Sequence, residues 1–409
     1  MKIRVIFQKI QRRNEPMTVC HWRFFVLGGD QATRLQRFVF WRQNKRFPVI
    51  VRVVWWLFSQ FRWFFFNAPS AIYKAYKVCS TSVADEHGVS KPRQLLGLCH
   101  LAYGFSAPPR LYYNNQLYAY AARQWLTFVF DFQSTVWHSA FLKDDADLLL
   151  LDDKHAFAQQ LASKGVPCIP TIAFTNADEA VLQTRDLERL PDSFFCKPVS
   201  ANQSQGCLSV VRQGDDYRVH DLFGRVVTSG MSAEPLLKRL NAQPYLVQAL
   251  LNNDPELVAL MGESLSVVRL VTMQKGSEFK VVQAYWEFNL LGRDESWVVA
   301  KIHIGDGQCV VSNSLCLERD KAELELLLPA LNAWLSEHWH EMALICEHAH
   351  RQTPSMFSIG WDAAFSDKGL VLIEGNSHWA LELQQQLEEQ PLLSSDRAAL
   401  YAAQLEALK

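Results

Sequence analysis

Two carboxylates and one carboxamide lie close together near the C-terminal end of the sequence. Residues 359–376 read as two apolar strands joined by the turn-forming run Ser-Asp-Lys-Gly at 366–369. Folding this hairpin about its turn brings Asp362 opposite Glu374, and Asn376 shares the face of Glu374 because side chains two apart in a strand point the same way. Oxygen ligands of this kind suit Mg²⁺ that is held together with phosphate oxygens. The spacing therefore predicts a metal site, with three separately solvated polar residues as the alternative.

Two lysines stand where a phosphate group could be met. Lys154 follows two aspartates at a helix start, where a cation is unfavourable to the helix dipole unless an anion lies in front of it. Lys197 ends the apolar strand SFFCK and precedes a polar loop, residues 200–206, that contains one glycine. A point charge beside the backbone N–H groups of such a loop suits phosphate. A solvated surface lysine is the alternative for Lys154, so the phosphate prediction depends mainly on Lys197.

Two further strands carry isolated polar side chains. Arg269 is the one charge in the β-branched strand SLSVVRLVTM at 264–273, and it should have an anionic partner because burying it alone would be costly. Gln248 lies in the apolar strand YLVQALL at 245–251. It either contacts a ligand or faces solvent from an edge strand. The sequence alone leaves both readings of Gln248 open.

The order and spacing of these stretches resemble the ATP-grasp superfamily. The match is most similar to its sugar-transfer-associated branch, which is alpha-L-glutamate-ligase-like and is found with cell-surface polysaccharide synthesis. Besides the hairpin, the resemblance depends on residues 151–170, 194–206, 245–251 and 264–273, and it covers about residues 90–390. It implies an α+β, ATP-grasp fold in which two α+β subdomains clamp ATP, preceded by a basic, aromatic and largely helical N-terminal region.

The resemblance also implies cofactors and residue roles. ATP would lie between the subdomains with Mg²⁺ on Asp362, Glu374 and Asn376. Arg269 and Lys301 are the catalytic candidates. The residues implied to bind ATP are Lys154, Lys197, Ser204, Gly206, Gln248, Ala249 and Leu250.

Three functions are compatible with this reading. The first is a ligase that activates a carboxylate, on a small molecule or a glycan, as an acylphosphate for attack by an amine acceptor in polysaccharide biosynthesis. The second is a kinase or phosphotransferase acting on a glycan precursor. The third is a non-catalytic, membrane-associated nucleotide-binding protein. An intact metal triad favours the two enzymes over the third function.

Charge is unevenly distributed along the chain. The 409 residues have a net charge of −1, yet residues 1–80 hold 15 Lys and Arg against 2 Asp and Glu, together with 18 of the 49 aromatic residues. Such an arm predicts contact with an anionic surface, either membrane or nucleic acid. Nine cysteines without a CxxC pair predict reduced thiols and a cytoplasmic location. The N-terminus alternates charged with apolar residues and does not read as a secretory signal.

Residues 49–66, VIVRVVWWLFSQFRWFFF, are too charged for an easy transmembrane span. On a helical wheel Arg52, Ser59 and Arg62 fall near one narrow stripe, and Trp and Phe cover the rest. This pattern predicts a helix in a bilayer interface, with the protein peripheral on the cytoplasmic face of the membrane. A core helix and a helix packed on a partner subunit are the alternatives. Nucleic acid is not expected, because its aromatic contacts would be spread among polar residues on an exposed sheet.

These features divide the chain into four predicted parts. Residues 1–90 form the basic aromatic arm with its amphipathic helix, and residues 91–147 form a helical region before the nucleotide domain. Residues 148–244 form the lid subdomain, and residues 245–409 form the larger subdomain with the metal site.

Overall fold

The computed structural model describes residues 16, 18–43, 45, 47–175, 182–199, 206–221, 226–289, 297–311 and 318–408. The chain divides into two compact units. The helical unit consists of Met1–Lys143 with His378–Lys409, and the sheet unit consists of Asp144–Ser377. Residues 378–409 thus group with the N-terminal part of the chain, whereas the sequence placed them in the subdomain 245–409. The other predicted boundaries stay predictions.

The helical unit begins with six α-helices among the residues that the structure describes. They are α1 (Gln31–Arg42), α2 (Val49–Arg62), α3 (Ala68–His87), α4 (Lys91–Cys99), α5 (Arg110–Asn114) and α6 (Ser134–Ala140). A π-helical turn, Trp63–Asn67, joins α2 to α3, and Gly88 ends α3 with a left-handed φ of 66°. The helix predicted over 49–66 is confirmed.

Large aromatic side chains fill the core of the helical unit. Trp63, Phe105, Tyr112, Trp125 and Phe130 are all buried there. By contrast, α2 has no buried residue. The core is therefore built from the elements on either side of α2, which lies on its surface.

The sheet unit contains two antiparallel sheets of six strands each. The first sheet has the order β1-β6-β2-β3-β4-β5, and the second has the order β10-β9-β8-β7-β11-β12. The strands of the first sheet are β1 (Thr171–Thr175), β2 (Ser193–Pro198), β3 (Leu208–Gln213), β4 (Asp216–Asp221), β5 (Val226–Met231) and β6 (Tyr245–Ala249). Those of the second are β7 (Val267–Lys275), β8 (Glu278–Asn289), β9 (Trp297–Ile302), β10 (Cys309–Val311), β11 (Ser358–Ser366) and β12 (Gly369–Asn376).

Helices cover both sheets. The described helices of this unit are α7 (Ala146–Asp152), α8 (Lys154–Ser163), α9 (Thr184–Leu187), α10 (Ala233–Leu240), α11 (Pro255–Met261) and α12 (Glu318–His350). On the first sheet, Leu236 and Leu240 of α10 pack in one buried cluster with Phe194 of β2 and Val219 of β4. On the second sheet, Trp334 of α12 packs against Trp286 of β8 with 5.5 Å between ring centroids. Both packings bury the apolar face of a helix against the apolar side of a sheet.

Two helices close the chain, α13 (Leu381–Leu387) and α14 (Arg397–Ala407). Both belong to the helical unit, where Gln31 at the start of α1 donates a hydrogen bond to the Ala398 carbonyl oxygen of α14 at 3.0 Å. The predicted fold class, α+β with a largely helical N-terminal region, is confirmed.

Candidate functional site

Five polar side chains form a row across one face of the second sheet. The strand register places Glu374 opposite Asp362, Asp362 opposite Arg269, Arg269 opposite Tyr285, and Tyr285 opposite Lys301. Directly opposed residues of antiparallel strands lie on the same side of a sheet. The row therefore crosses β12, β11, β7, β8 and β9 without a break. Neighbouring strands are about 4.8 Å apart, so Lys301 lies roughly 10 Å from Arg269 along the row.

The opposite face of the same strands is buried and holds the row in place. Trp361, the neighbour of Asp362, donates its indole N–H to the Thr272 hydroxyl at 2.8 Å. His350 Nε2 lies 3.1 Å from the Met356 carbonyl oxygen, so this nitrogen carries the proton and Nδ1 accepts. The Thr272 hydroxyl then donates to Nδ1 at 2.7 Å. Since all three side chains are buried and satisfied, β7 and β11 are fixed directly behind Asp362 and Arg269.

The hairpin of β11 and β12 brings the predicted metal ligands together. Asn376 Nδ2 lies 3.4 Å from Asp362 Oδ2 and 3.3 Å from Glu374 Oε1, so the amide bridges the two carboxylates. The Arg269 guanidinium contacts Asp362, and the Lys197 ammonium contacts Glu374. The turn at 366–369 and the pairing of Asp362 with Glu374 are both as predicted.

The environments of the two carboxylates drive their pKa values apart. Burial raises the pKa of Asp362 to about 6, against the opposing charge of Arg269. Burial acts on Glu374 in the same direction, but the charges of Lys197 and Lys154 outweigh it and lower the pKa of Glu374 to about 2. Both groups are therefore largely ionised at neutral pH, and Glu374 stays ionised far into the acid range.

Lys154 is positioned by its helix. The Asp153 carboxylate caps α8 by accepting hydrogen bonds from the N–H groups of His155 at 3.1 Å and Ala156 at 3.0 Å. This places Lys154 in the first turn, with Nζ 4.0 Å from Glu374 Oε2. Burial, followed by the like charge of Lys197, lowers the pKa of Lys154 below its usual value. Two cations near one carboxylate leave a local excess of positive charge, which an anion would neutralise.

Gly375, between two of the predicted ligands, permits this approach. A Cβ added there would lie 2.9 Å from Trp361, 3.0 Å from Leu151 and 3.1 Å from Phe157. Leu151 belongs to α7 and Phe157 to α8. The missing side chain therefore lets both helices pack against β12, and this packing brings Lys154 to Glu374.

An apolar cleft opens beside the two lysines. It is lined by Phe157, Ile169, Leu246 and Leu372, and Gln248 also lines it. Gln248 is buried, and its amide lies 3.5 Å from the Ile169 carbonyl oxygen, so it does not face solvent. The cleft has a volume of only about 20 Å³, whereas small-molecule sites usually have several hundred. A nucleotide would have to separate the two sheets in order to enter.

The other residues that were implied to bind ATP lie outside the contacts that join the two lysines to Glu374. The Ala249 N–H donates to the Pro170 carbonyl oxygen at 3.4 Å, and Leu250 follows the end of β6 and is half-buried. Gly206 has a left-handed φ of 78°, and its carbonyl oxygen accepts a hydrogen bond from the Tyr245 hydroxyl at 3.2 Å. Ser204 lies outside the described residues.

The structure thus joins six of the predicted residues by direct contacts, namely Lys154, Lys197, Arg269, Asp362, Glu374 and Asn376. Lys301 lies at the far end of the row. Within the described ranges, no group of three or more His, Cys, Asp and Glu side chains is placed to hold a metal ion. The candidate ligand set is therefore a mixed one, with two carboxylates and one amide.

Sequence reasoning missed one residue of the row, Tyr285, and its hydrogen-bond partner Glu287 beside the row. Tyr285 is fully buried and hydrogen-bonds to Glu287, two residues further along β8. Burial raises the pKa of Tyr285 well above its usual value, so its hydroxyl stays protonated. The sequence did contain a pattern that indicates Tyr285. An acidic residue lies two positions after this tyrosine in an otherwise apolar strand, and side chains at that spacing share one face of the strand.

No protein-family model matches this chain, and no curated protein matches it. Several solved structures are similar to it. The ATP-grasp ligase PsnB, complexed with minimal precursor, is 14% identical over 72% of this chain and 77% of its own, with a TM-score of 0.37. The D-alanine–D-alanine ligase from Bacillus anthracis is 11% identical over 64% and 68%, with a TM-score of 0.37. VanG D-Ala:D-Ser ligase from Enterococcus faecalis is 9% identical over 68% of each chain, with a TM-score of 0.38. At identities and scores this low, none of these likenesses decides the activity of this chain.

Proposed function

We propose that this protein is an ATP- and Mg²⁺-dependent ligase of the ATP-grasp type, which activates a carboxylate as an acylphosphate for attack by an amine. The observation that carries the proposal is the cluster in the sheet unit. Three cations, Lys154, Lys197 and Arg269, meet two carboxylates, Asp362 and Glu374, at one end of the polar row. Three positive charges against two negative charges leave the cluster at +1, which suits an anionic ligand.

The lysines would bind the phosphates of ATP. Lys197 extends from the end of β2 and Lys154 from the start of α8, so the two charges approach Glu374 from different elements. In the absence of nucleotide, Glu374 neutralises them. Phosphate oxygens offer the same lysines a more highly charged partner, and Glu374 is then released as a ligand.

The carboxylates and the amide fit Mg²⁺. Asp362 Oδ2 and Glu374 Oε1 both lie within 3.5 Å of the Asn376 amide nitrogen, so the three side chains meet at one place. Turning the amide by half a rotation would bring its oxygen to the two carboxylates, and these three side chains would then offer the oxygen ligands that suit Mg²⁺. When bound there, Mg²⁺ would neutralise charge on the phosphates and help to align them.

Arg269 suits the chemical step. A substrate carboxylate oxygen would attack the γ-phosphorus, the bond to the β-phosphate oxygen would break, and ADP would leave. The amine nitrogen would then attack the acyl carbon, releasing phosphate and a proton as the amide forms. Arg269 lies directly beside Asp362 and would stabilise the negative oxygens in both steps. Lys301 and Tyr285, further along the row, would orient the carboxylate or the amine.

The proposal also includes the class of substrate and the place where the protein acts. The sequence resemblance supports a glycan-linked carboxylate or amine of the cell envelope. The exposed apolar helix α2 supports a location on the cytoplasmic face of the membrane, where such precursors are made.

Glu374→Gln tests the proposal, because it removes one charge from the ligand set and keeps the shape of the side chain. Saturating nucleotide at about a hundred times its dissociation constant stabilises a protein by about 2.7 kcal/mol. We expect Mg²⁺–ATP to raise the melting temperature of the wild type and to lose most of this effect in the variant. Glu256→Gln, at an exposed glutamate in α11, is the matched control and should respond like the wild type.

Product analysis then separates the reaction classes. Wild-type protein, ATP and Mg²⁺ are incubated with pools of carboxylates and amines, and products are identified by mass spectrometry. An amide product with release of phosphate and ADP supports the ligase. A stable phosphorylated product without an amide would make the protein a kinase, and an unchanged Mg²⁺–ATP shift in Glu374→Gln would remove the metal site from the proposal.

A further inference from the structure

Helix α2 turns its apolar side away from the helical unit. Ile50 is 78% exposed, Phe58 is 57% exposed and Phe61 is 55% exposed. The other large apolar side chains of α2 that are exposed are Val49, Val51, Val53, Val54, Trp55 and Leu57. A continuous apolar surface of this kind on a folded protein indicates a membrane or protein interface. We call it the α2 face.

The polar residues of α2 lie on its inner side. Arg52 donates a hydrogen bond to the Trp41 carbonyl oxygen at 3.3 Å, and Gln60 accepts one from the Ser106 hydroxyl at 2.8 Å. The polar stripe predicted on the helical wheel therefore faces the protein. This is the reverse of a surface helix in a soluble domain, whose apolar stripe faces the core.

The length and the two arginines of the free apolar stretch indicate that it lies on a bilayer and does not cross it. The helical stretch Val49–His87 is apolar and long enough to span, and it is the one such stretch in the part of the chain that the structure describes. However, the second part of that stretch buries Ile72, Ala75 and Cys79 in the core of the helical unit. Exposed apolar side chains continue to Phe66 in the π-helical turn, so the free part is residues 49–66. It is about 27 Å long, against about 30 Å for the hydrocarbon layer, and it carries Arg52 and Arg62.

A cationic cleft adjoins the first turn of α2. It has a volume of about 630 Å³ and is lined by Arg34, Arg37, Arg42, Lys45 and Arg52. Phe38, Trp41, Leu405 and the carboxylate of Glu406 complete its lining. Five cations face one carboxylate in a space large enough for a phosphorylated head group.

The cations of this cleft outnumber the carboxylates that line it. Across the described ranges, none of its five cations forms an ion pair with a carboxylate. The Arg52 Nε is buried without a hydrogen-bond acceptor, and the Arg42 guanidinium lies 5.2 Å above the Phe38 ring. A phosphate group in the cleft would give these guanidinium groups the anionic partner that they lack among the described residues.

We propose that the cationic cleft binds the phosphate group of an anionic phospholipid while the α2 face lies in the bilayer interface. Charge complementarity favours a membrane over a protein partner. Residues 49–84 contain no Asp or Glu, whereas a protein interface usually combines charges of both signs at its rim. This inference rests on the membrane location proposed above and not on the ligase chemistry.

Vesicle binding by the full-length protein tests the inference. The probes are vesicles of phosphatidylcholine alone and vesicles in which about a third of the lipid is phosphatidylglycerol. A cation near an anionic membrane strengthens binding about fivefold, which corresponds to about 1 kcal/mol. The triple variant Arg34→Gln, Arg42→Gln, Lys45→Gln should therefore bind the anionic vesicles up to on the order of a hundredfold less tightly. Its binding to neutral vesicles should equal that of the wild type, because the α2 face is intact.

Three controls make the result specific. Lys238→Gln, Arg239→Gln, Lys275→Gln removes the same charge from exposed positions of the sheet unit and should bind both vesicles like the wild type. Arg34→Lys with Arg42→Lys keeps the charge and should retain most of the anionic preference. Phe58→Ser with Phe61→Ser should weaken binding to both vesicles alike. The melting temperature of each variant shows whether it is folded. Added salt should reduce the preference of the wild type for anionic vesicles without any substitution.

Four outcomes would overturn the inference. Retention of the wild-type preference by the charge-removing cleft variant would exclude the cleft as a head-group site. A melting temperature raised by inorganic phosphate, with no vesicle bound, would make the ligand a free phosphate. A wild-type dimer that Phe58→Ser with Phe61→Ser dissociates, with no vesicle bound, would make the α2 face a contact between two copies. Failure of the wild type to bind either vesicle would also remove the membrane location, and it would leave the Mg²⁺–ATP test untouched.

Discussion

The contact between Lys197 and Glu374 is the feature of the candidate site that can be tested without knowing any substrate. It joins the first sheet to the second, since Lys197 lies in β2 and Glu374 in β12. We consider a double-mutant cycle of Lys197→Met, Glu374→Gln and the combined variant. Each substitution removes a charge and keeps most of the side-chain volume, so the cycle isolates the interaction between the two groups.

The expected magnitude follows from the pKa of Glu374. The pKa of its carboxyl group is about 2 in the folded protein, against an ordinary value of 4.5. A difference of about 2.5 pKa units corresponds to about 3 kcal/mol, at 1.36 kcal/mol for each unit. The two side chains are 13% and 21% exposed, so water screens the pair only weakly. Burial opposes this lowering of the pKa and Lys154 contributes to it, so the net value sets the order of magnitude of the coupling energy, about 2–3 kcal/mol.

Urea unfolding of the nucleotide-free protein at pH 7 measures this coupling. The matched control is the pair Lys321 and Glu325, one turn apart on α12, with 4.0 Å between the charged atoms and side chains 29% and 54% exposed. This pair should give about 0.3–0.5 kcal/mol. Additive effects of Lys197→Met and Glu374→Gln, within about 0.5 kcal/mol, would refute the contact. In saturating Mg²⁺–ATP the coupling should shrink, because the lysine then binds phosphate and the carboxylate binds the metal ion.

Three further predictions concern single residues. Lys197→Ala should weaken Mg²⁺–ATP binding more than Lys154→Ala in calorimetric titrations, because Lys197 contacts Glu374 directly whereas Lys154 lies 4.0 Å away. Equal and negligible losses of affinity in the two variants would place ATP elsewhere. Tyr285→Phe should lower the free energy of unfolding by about 1 kcal/mol, because the hydrogen bond of its hydroxyl is lost. The rise in melting temperature with Mg²⁺–ATP should stay as in the wild type, and loss of that rise would mean that the residues of the row act as a unit. Burial lowers the pKa of His138 to about 3, so in mildly acidic solution the unfolded chain binds a proton at this residue and the folded protein does not. The free energy of unfolding should therefore fall by about 2 kcal/mol when the pH is lowered from 6.5 to 5. His138→Gln should flatten this part of the stability profile relative to the wild type, and an unchanged slope would show that other groups are responsible.

The local part of the candidate site could be predicted from the sequence. The pairing of Asp362 with Glu374 follows from a turn-forming tetrapeptide between two runs of period two, and both signals lie within eighteen residues. The placement of Lys154 in the first turn of a helix follows in the same way from the aspartates before it. Short-range geometry of this kind depends on neighbouring residues only.

The long-range part could not be predicted. The approach of Lys197 to Glu374 depends on how two sheets pack, and the row from Arg269 to Lys301 depends on a strand order that no local pattern encodes. Tyr285 was missed because a tyrosine in an apolar strand is usually read as core, and only its neighbours across the sheet give it a role. The helical wheel of α2 identified a polar stripe, but a wheel does not say which side of a helix meets the protein.

The two charged clusters of this protein differ in a way that separates their proposed ligands. The charges of the candidate site are buried, and in the absence of a ligand they pair with one another, as Lys197 does with Glu374 and Arg269 with Asp362. Any ligand must replace those pairs, which favours one that brings both a strong anion and a cation, as Mg²⁺–ATP does. The cations of the cleft beside α2 are partly exposed and form no ion pairs within the described chain, so they attract anions over a distance and through salt-dependent forces. Salt should therefore weaken attachment to an anionic surface long before it weakens nucleotide binding, and the protein could leave a membrane while its site stays intact.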